Sequence, residues 1–154
     1  MKTKFRFFAS LLVLVAAGAL VAAGCGGGGS TSGGGDGDFV SGAEAACTNA
    51  NKQIAALGTP QQDQVTGYLE ETEAVIEKLH REVAALDGSG AAEVAYTEGL
   101  AKAIPELTKM SNAARSENFD AVRELSAGLV RIRLGELAEA AHLESCAEVP
   151  TGES

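Results

Sequence analysis

The stretch VTGYLEETEAVIEKLHREVAALDGSG, Val65 to Gly90, decides the fold. Val65, Leu69, Thr72, Ile76, Leu79, Val83 and Leu86 recur at alternating steps of four and three, and Tyr68 and Val75 widen the stripe. That spacing places the apolar residues on one face of an α-helix and the charges on the other. Asp87-Gly88-Ser89-Gly90 punctuates its end. No segment alternates with period two for long enough to predict a sheet.

Upstream, Ala43, Cys47, Ala50, Ile54 and Leu57 form a second helical stripe. Ser41 with Glu44 three residues later reads as a capping box, with Val40 placed for a hydrophobic staple. Gly58 is a natural left-handed stop, and Pro60 blocks continuation. Downstream, Tyr96, Leu100, Ala103, Leu107, Met110 and Ala114 form a third stripe interrupted by Pro105, where a kink is expected. Asn118 is the expected N-cap of a fourth helix. The core face of that helix begins with Val122, Leu125, Leu129 and Ile132. A second stripe, Val130, Leu134, Leu137 and Ala141, then takes over. Four amphipathic helices with short connections predict an all-α, up-down-up-down four-helix bundle over 39–149, with a disordered tail at 150–154. Gly128 and Gly135, one heptad apart, are expected to let helices approach closely.

The 154 residues suit one domain. Twelve basic against 21 acidic residues leave no surplus of positive charge to meet nucleic acid phosphates. A 45% hydrophobic content argues against a wholly disordered chain, and three cysteines are too few for a dense disulfide scaffold. The first residues are different in kind. Lys2, Lys4 and Arg6 precede an apolar run from Phe7 to Ala23, too short for a comfortable membrane span and crowded with small residues at its end. This is a secretory signal. It closes on Val21-Ala22-Ala23-Gly24-Cys25, which resembles the lipobox of bacterial lipoproteins, although Ala22 stands where that family prefers Leu. The resemblance implies cleavage after 1–24 and lipidation of Cys25, which would hold the protein to the extracytoplasmic face of the cell membrane. An ordinary secretory signal cut near Ala23 is the alternative reading. Residues 26–38, GGGGSTSGGGDGD, complete a flexible tether over 25–38 with a reach of about 20 Å. Losing Lys2, Lys4 and Arg6 leaves nine basic against 21 acidic residues, a charge of −12.

With Cys25 assigned to lipid, Cys47 and Cys146 remain for an oxidising compartment. The start of helix 1 and the end of helix 4 lie at the same end of the proposed bundle. A Cys47–Cys146 disulfide is therefore topologically natural; two buried free thiols are the alternative. The bridge predicts a short first helix and a partly extended 58–64 connection, although Thr59-Pro60-Gln61-Gln62 also reads as a helix start. A short first helix leaves a candidate groove at Tyr68, Leu107, Met110 and Phe119, unless the connection covers it.

The Phe39-Val40 start, Cys47, Asn51 and the Leu143-to-Cys146 finish, with the lipobox and tether, are similar to small actinobacterial-type helical lipoproteins of unknown function. Those proteins often carry Gly as a left-handed stop before the final Leu, where this chain has His142. The resemblance brings no activity.

One constellation suggests chemistry. Glu77 with His80, and Glu139 with His142, are Glu-x-x-His pairs, the spacing by which ferritin-like bundles hold two metal ions. Glu44 and Glu93 or Glu98 are the candidate additional ligands. Against this, Glu77 and His80 fall off the Ile76/Leu79 stripe, and solvated faces are the favoured reading, with no cofactor. No nucleophile elbow, phosphate loop or zinc-type cysteine pair occurs. The expectation is therefore a non-enzymatic binding or scaffolding module. Its partner would be an envelope protein, a wall polymer or a small ligand, with the ferritin-like metal site as the alternative.

Overall fold

The structure, a computed structural model, describes residues 36–148. The expected signal peptide (1–24), Cys25, most of the expected tether and the expected tail (150–154) lie outside the described residues. Six helices follow in order: α1 Asp36–Leu57, α2 Val65–Ala84, α3 Ala91–Arg115, α4 Phe119–Ile132, α5 Leu134–Ala140 and the single turn α6 Glu144–Ala147. The described residues contain no strand.

Two expectations about the first helix are corrected. It is not short: α1 has 22 residues against 20 for α2, and it begins inside the stretch read as tether. Phe39 supplies the reason. Its ring is 3% exposed and packs so tightly over the α2–α3 connection that a Cβ built on Gly88 would lie 2.6 Å from it. That burial outweighs the poor helix propensity of the Gly37 region, while Asp38 in the first turn suits the positive helix end. The expected capping box is also absent. Ser41 lies inside α1 and its hydroxyl donates to the Asp38 carbonyl at 3.3 Å, while Glu44 is engaged elsewhere. Gly58 adopts φ +68° as expected of a helix stop. Within 58–64, residues 58–61 are non-helical and Gln62–Gln64 form one 3-10 turn, with the Gln64 side chain accepting from the Gln61 N–H at 3.0 Å.

Consecutive long helices run antiparallel. Gly42 of α1 sits against Leu86 just beyond α2; Glu70 of α2 pairs with Arg115 at the end of α3; Glu106 of α3 lies against Gly128 of α4. Pro105 lies inside α3, which continues through it. Both Pro105 and Ala101 are exposed, so water can meet the carbonyl that proline leaves without a donor.

The fourth segment is not one helix. Its hydrophobic stripe changes phase between Leu129 and Leu134, and the backbone follows by breaking at Arg133, which is left-handed at φ 57°. The chain turns left-handed again at His142, φ 58°. There the Leu143 N–H reaches the Ala138 carbonyl at 2.9 Å and the His142 N–H reaches the Glu139 carbonyl at 3.0 Å. These are the paired bonds that close a helix whose C′ residue is left-handed, with Leu143 buried behind them.

The breaks divide the interior in two. One cluster joins α1, α2 and α3 to α5 and α6 through residues such as Cys47, Leu79, Tyr96, Leu100, Leu134 and Leu143. A smaller one, Leu69, Met110 and Ala114, is covered by Val65, Tyr68, Val122 and Leu125. Gly99 of α3 lets α5 pack closely: an added Cβ would lie 2.7 Å from Leu137 and 2.9 Å from Leu134. Gly135 has only an ordinary contact, and the neighbour at Gly128 is the mobile end of Glu106.

Two substitutions check this packing. Gly99→Val is expected to lower unfolding free energy by about 1–3 kcal/mol in urea titration, since branched methyls must displace Leu134 and Leu137. His142→Gly is expected to raise it by about 1 kcal/mol, since an exposed residue is relieved of a left-handed conformation that costs a side chain roughly that much.

Candidate functional site

The most densely bonded tertiary contact lies on α1, around Cys47. Glu44, Cys47, Thr48 and Asn51 are spaced three, one and three residues apart and share one face. Cys47 is bonded to Cys146 of α6, with Cα atoms 5.0 Å apart and a sequence separation of 99. Closing a loop of that size restricts the unfolded chain by up to about 4.7 kcal/mol in the chain-entropy account. The cysteines are 0% and 1% exposed, so solvent reductants have no access to the folded bond.

Beside the disulfide, Ser145 is held on three sides. Its backbone N–H donates to both Glu44 carboxylate oxygens, at 3.1 and 3.0 Å. Its carbonyl accepts from the Asn51 amide at 2.8 Å, and its hydroxyl accepts from Thr48 at 3.2 Å. A four-residue helix cannot pair its own first N–H groups. Here α1 supplies the acceptor, a carboxylate, and a bond of that charged kind is stronger than a neutral one.

Beneath lies Tyr96 of α3, 1% exposed, with its hydroxyl 3.3 Å from Cys47 Sγ. A disulfide sulfur carries no proton, so the phenol is the donor. Burial, and then the negative charge of Glu44, push the Tyr96 phenol well above its ordinary range and keep it protonated as that donor.

The other sequence-predicted residues are not gathered into one place. Leu107 and Met110 are buried in different clusters, while Tyr68 and Phe119 are half-buried. Phe119 lines an open depression of about 680 Å³ with Gln61, Gln62, Thr66, Arg115 and Glu117, at the far end of α2 from the start of α1. Arg115 is already paired with Glu70 at 2.7 Å. Among the described residues, no three His, Cys, Asp or Glu side chains are grouped to hold a metal ion. Glu139 and His142 are exposed, and Glu77 pairs with Arg81. Of the additional candidate ligands, Glu44 holds Ser145, Glu93 accepts from the Gly90 N–H at 2.9 Å, and Glu98 pairs with Lys102.

Sequence reading marked the cysteines, gave Glu44 a different role and Asn51 none, and did not single out Thr48. The available signal was the Glu44, Thr48 and Asn51 spacing, which places three hydrogen-bonding side chains around a core cysteine on a helix otherwise rich in alanine. No family model matches the chain, and no curated protein or solved structure matches it.

The Tyr96 environment makes a pH prediction. Below about pH 10 the phenol is protonated in both folded and unfolded chains and contributes no slope. Above that, the unfolded chain releases a proton that the folded one retains, so stability falls as pH rises. Phenolate absorbance assigned to Tyr96 is expected to appear only together with loss of helical circular dichroism. Tyr96→Phe is expected to flatten the alkaline fall. Ionisation of Tyr96 in a fully helical protein would contradict the assignment.

Proposed function

We propose that the protein is a lipoprotein anchored through Cys25 to the extracytoplasmic face of the cell membrane. It acts there as a non-enzymatic binding or scaffolding module for an envelope protein, a wall polymer or a small ligand. The observation that carries this reading is the N-terminal series: a basic start, an apolar run and small residues immediately before Cys25. Two acyl chains on one cysteine hold a protein stably where a single chain binds marginally.

The Cys47–Cys146 disulfide supports export independently, because such bonds persist in oxidising compartments. We read the helices as an up-and-down four-helix bundle in which α4 and α5 together serve as the fourth rod. The antiparallel pairing of α1 with α2, α2 with α3 and α3 with α4 supports this. The tether enters at the start of α1, beside Leu86 and Gly88. The depression around Phe119 lies at the opposite end of α2 from the start of α1. The negative charge of the mature chain favours cationic partners over nucleic acid or other polyanions.

Metabolic labelling with a fatty acid tests the anchor. The wild-type chain is expected to incorporate label, and Cys25→Ser is expected to abolish incorporation and leave an unprocessed precursor. Undiminished label in that variant would overturn the reading.

A further inference from the structure

The disulfide and the bonds to Ser145 occupy the same few ångströms, yet they are chemically independent. The three α1 side chains hold Ser145 through oxygen and nitrogen atoms alone, and none of those bonds involves a Cys47 or Cys146 sulfur. Ser145 is the residue next to Cys146, so whatever fixes one positions the other. The segment they hold follows the left-handed break at His142, and its backbone bonds are short-range, from Ala147 and Cys146 to Leu143. A single turn of helix has no stability of its own in water. Its position must come from outside, and α1 supplies it.

We propose that Glu44, Thr48 and Asn51 form a latch that docks the C-terminal strap, residues 143–147, onto α1 before oxidation, and so sets how readily Cys47 and Cys146 join. In the undocked chain, Cys146 stands on an unsupported turn, open to an exogenous disulfide such as oxidised glutathione or an oxidoreductase. Its thiolate attacks that disulfide, forming a mixed disulfide and expelling one thiol. Latching then carries the mixed disulfide against Cys47. The Cys47 thiolate accepts the Tyr96 hydrogen bond, attacks Cys146 Sγ and expels the second thiol. Two protein thiols lose two electrons and two protons, and one external disulfide becomes two thiols. By thermodynamic linkage, the factor by which the docked strap favours the bond is the factor by which the bond favours the docked strap.

The test is the effective concentration of the two thiols for each other. It is measured at equilibrium in glutathione redox buffers on the full chain in detergent, with Cys25→Ser to remove the third thiol. Glu44→Ala removes a charge-assisted bond and is expected to lower the effective concentration about tenfold or more. Asn51→Asp, which turns a donor into a carboxylate facing the Ser145 carbonyl, is expected to do the same or worse. Gln53→Ala, on the same helix but bonded only to Asn49, is expected to leave it unchanged. A second measurement guards against loss of the fold. In a chain with Cys47→Ser and Cys146→Ser, hydrogen exchange at the Ser145 N–H is expected to be slow, and Glu44→Ala is expected to make it fast while α2 and α3 amides stay protected. An effective concentration that both latch variants leave unchanged, or a Ser145 N–H unprotected without the disulfide, would overturn the proposal.

Discussion

The meeting of Ser145 and Cys146 with the middle of α1 is the constraint on which the rest of the architecture depends. It is the point at which the last described residues return to the first helix across 99 residues of chain. Without it, the inner face of α1 would be closed chiefly by α2. Ala43, Cys47 and Ala50 are small, and they bury little area per residue. Side chains this short need backbone brought close, and α6 provides it. The covalent bond and the polar contacts then do different things. The disulfide restricts the unfolded chain, whereas the Glu44, Thr48 and Asn51 bonds stabilise one arrangement of the folded chain.

That arrangement explains why the C-terminal segment is built from pieces. A straight helix from Asn118 onward would carry its apolar residues along one line, past the space that α5 and α6 fill. The left-handed residues Arg133 and His142 redirect the chain twice, first to bring Leu134 and Ala138 onto α3, then to bring Leu143 and Cys146 onto α1. Each left-handed side chain opposes folding by about 1 kcal/mol. Burial of Leu134 and Leu143, at about 1.5–3 kcal/mol for each apolar side chain, is enough to offset it. Neither position is glycine, so packing rather than local preference decides both breaks.

The described domain is thus a small helical unit stapled between α1 and α6, with the start of α1 packed beside the α2–α3 connection. One long-range cross-link adds stability to a small core that holds few aromatic residues. The two ends of the domain differ accordingly. The end at the start of α1 is closed by Phe39, Leu86 and the tight Gly88 approach. The other end carries the open depression lined by polar side chains and Phe119.

Much of this was legible in the residues themselves. The stripes of α1, α2 and α3 follow from side-chain periodicity, and the buried Cys47, Leu79 and Leu100 are where period 3.6 places them, because helix geometry is local. Asn118 as a cap and Gly58 as a stop are local too, set by hydrogen bonds and dihedral preference within one turn. The phase change between Leu129 and Leu134 was visible as two overlapping stripes, but not its resolution into a left-handed break. What only the tertiary structure decided were the matters of distance along the chain. The extra turns at the start of α1 depend on Phe39 finding Gly88. Glu44 abandons its neighbour Ser41 for Ser145, 101 residues away. A carboxylate three residues from a serine looks like a cap when only neighbours are considered. Once the fold brings the part-buried Ser145 N–H within reach, the carboxylate accepts from it instead, since a donor drawn out of water without a partner costs more than a solvated cap returns.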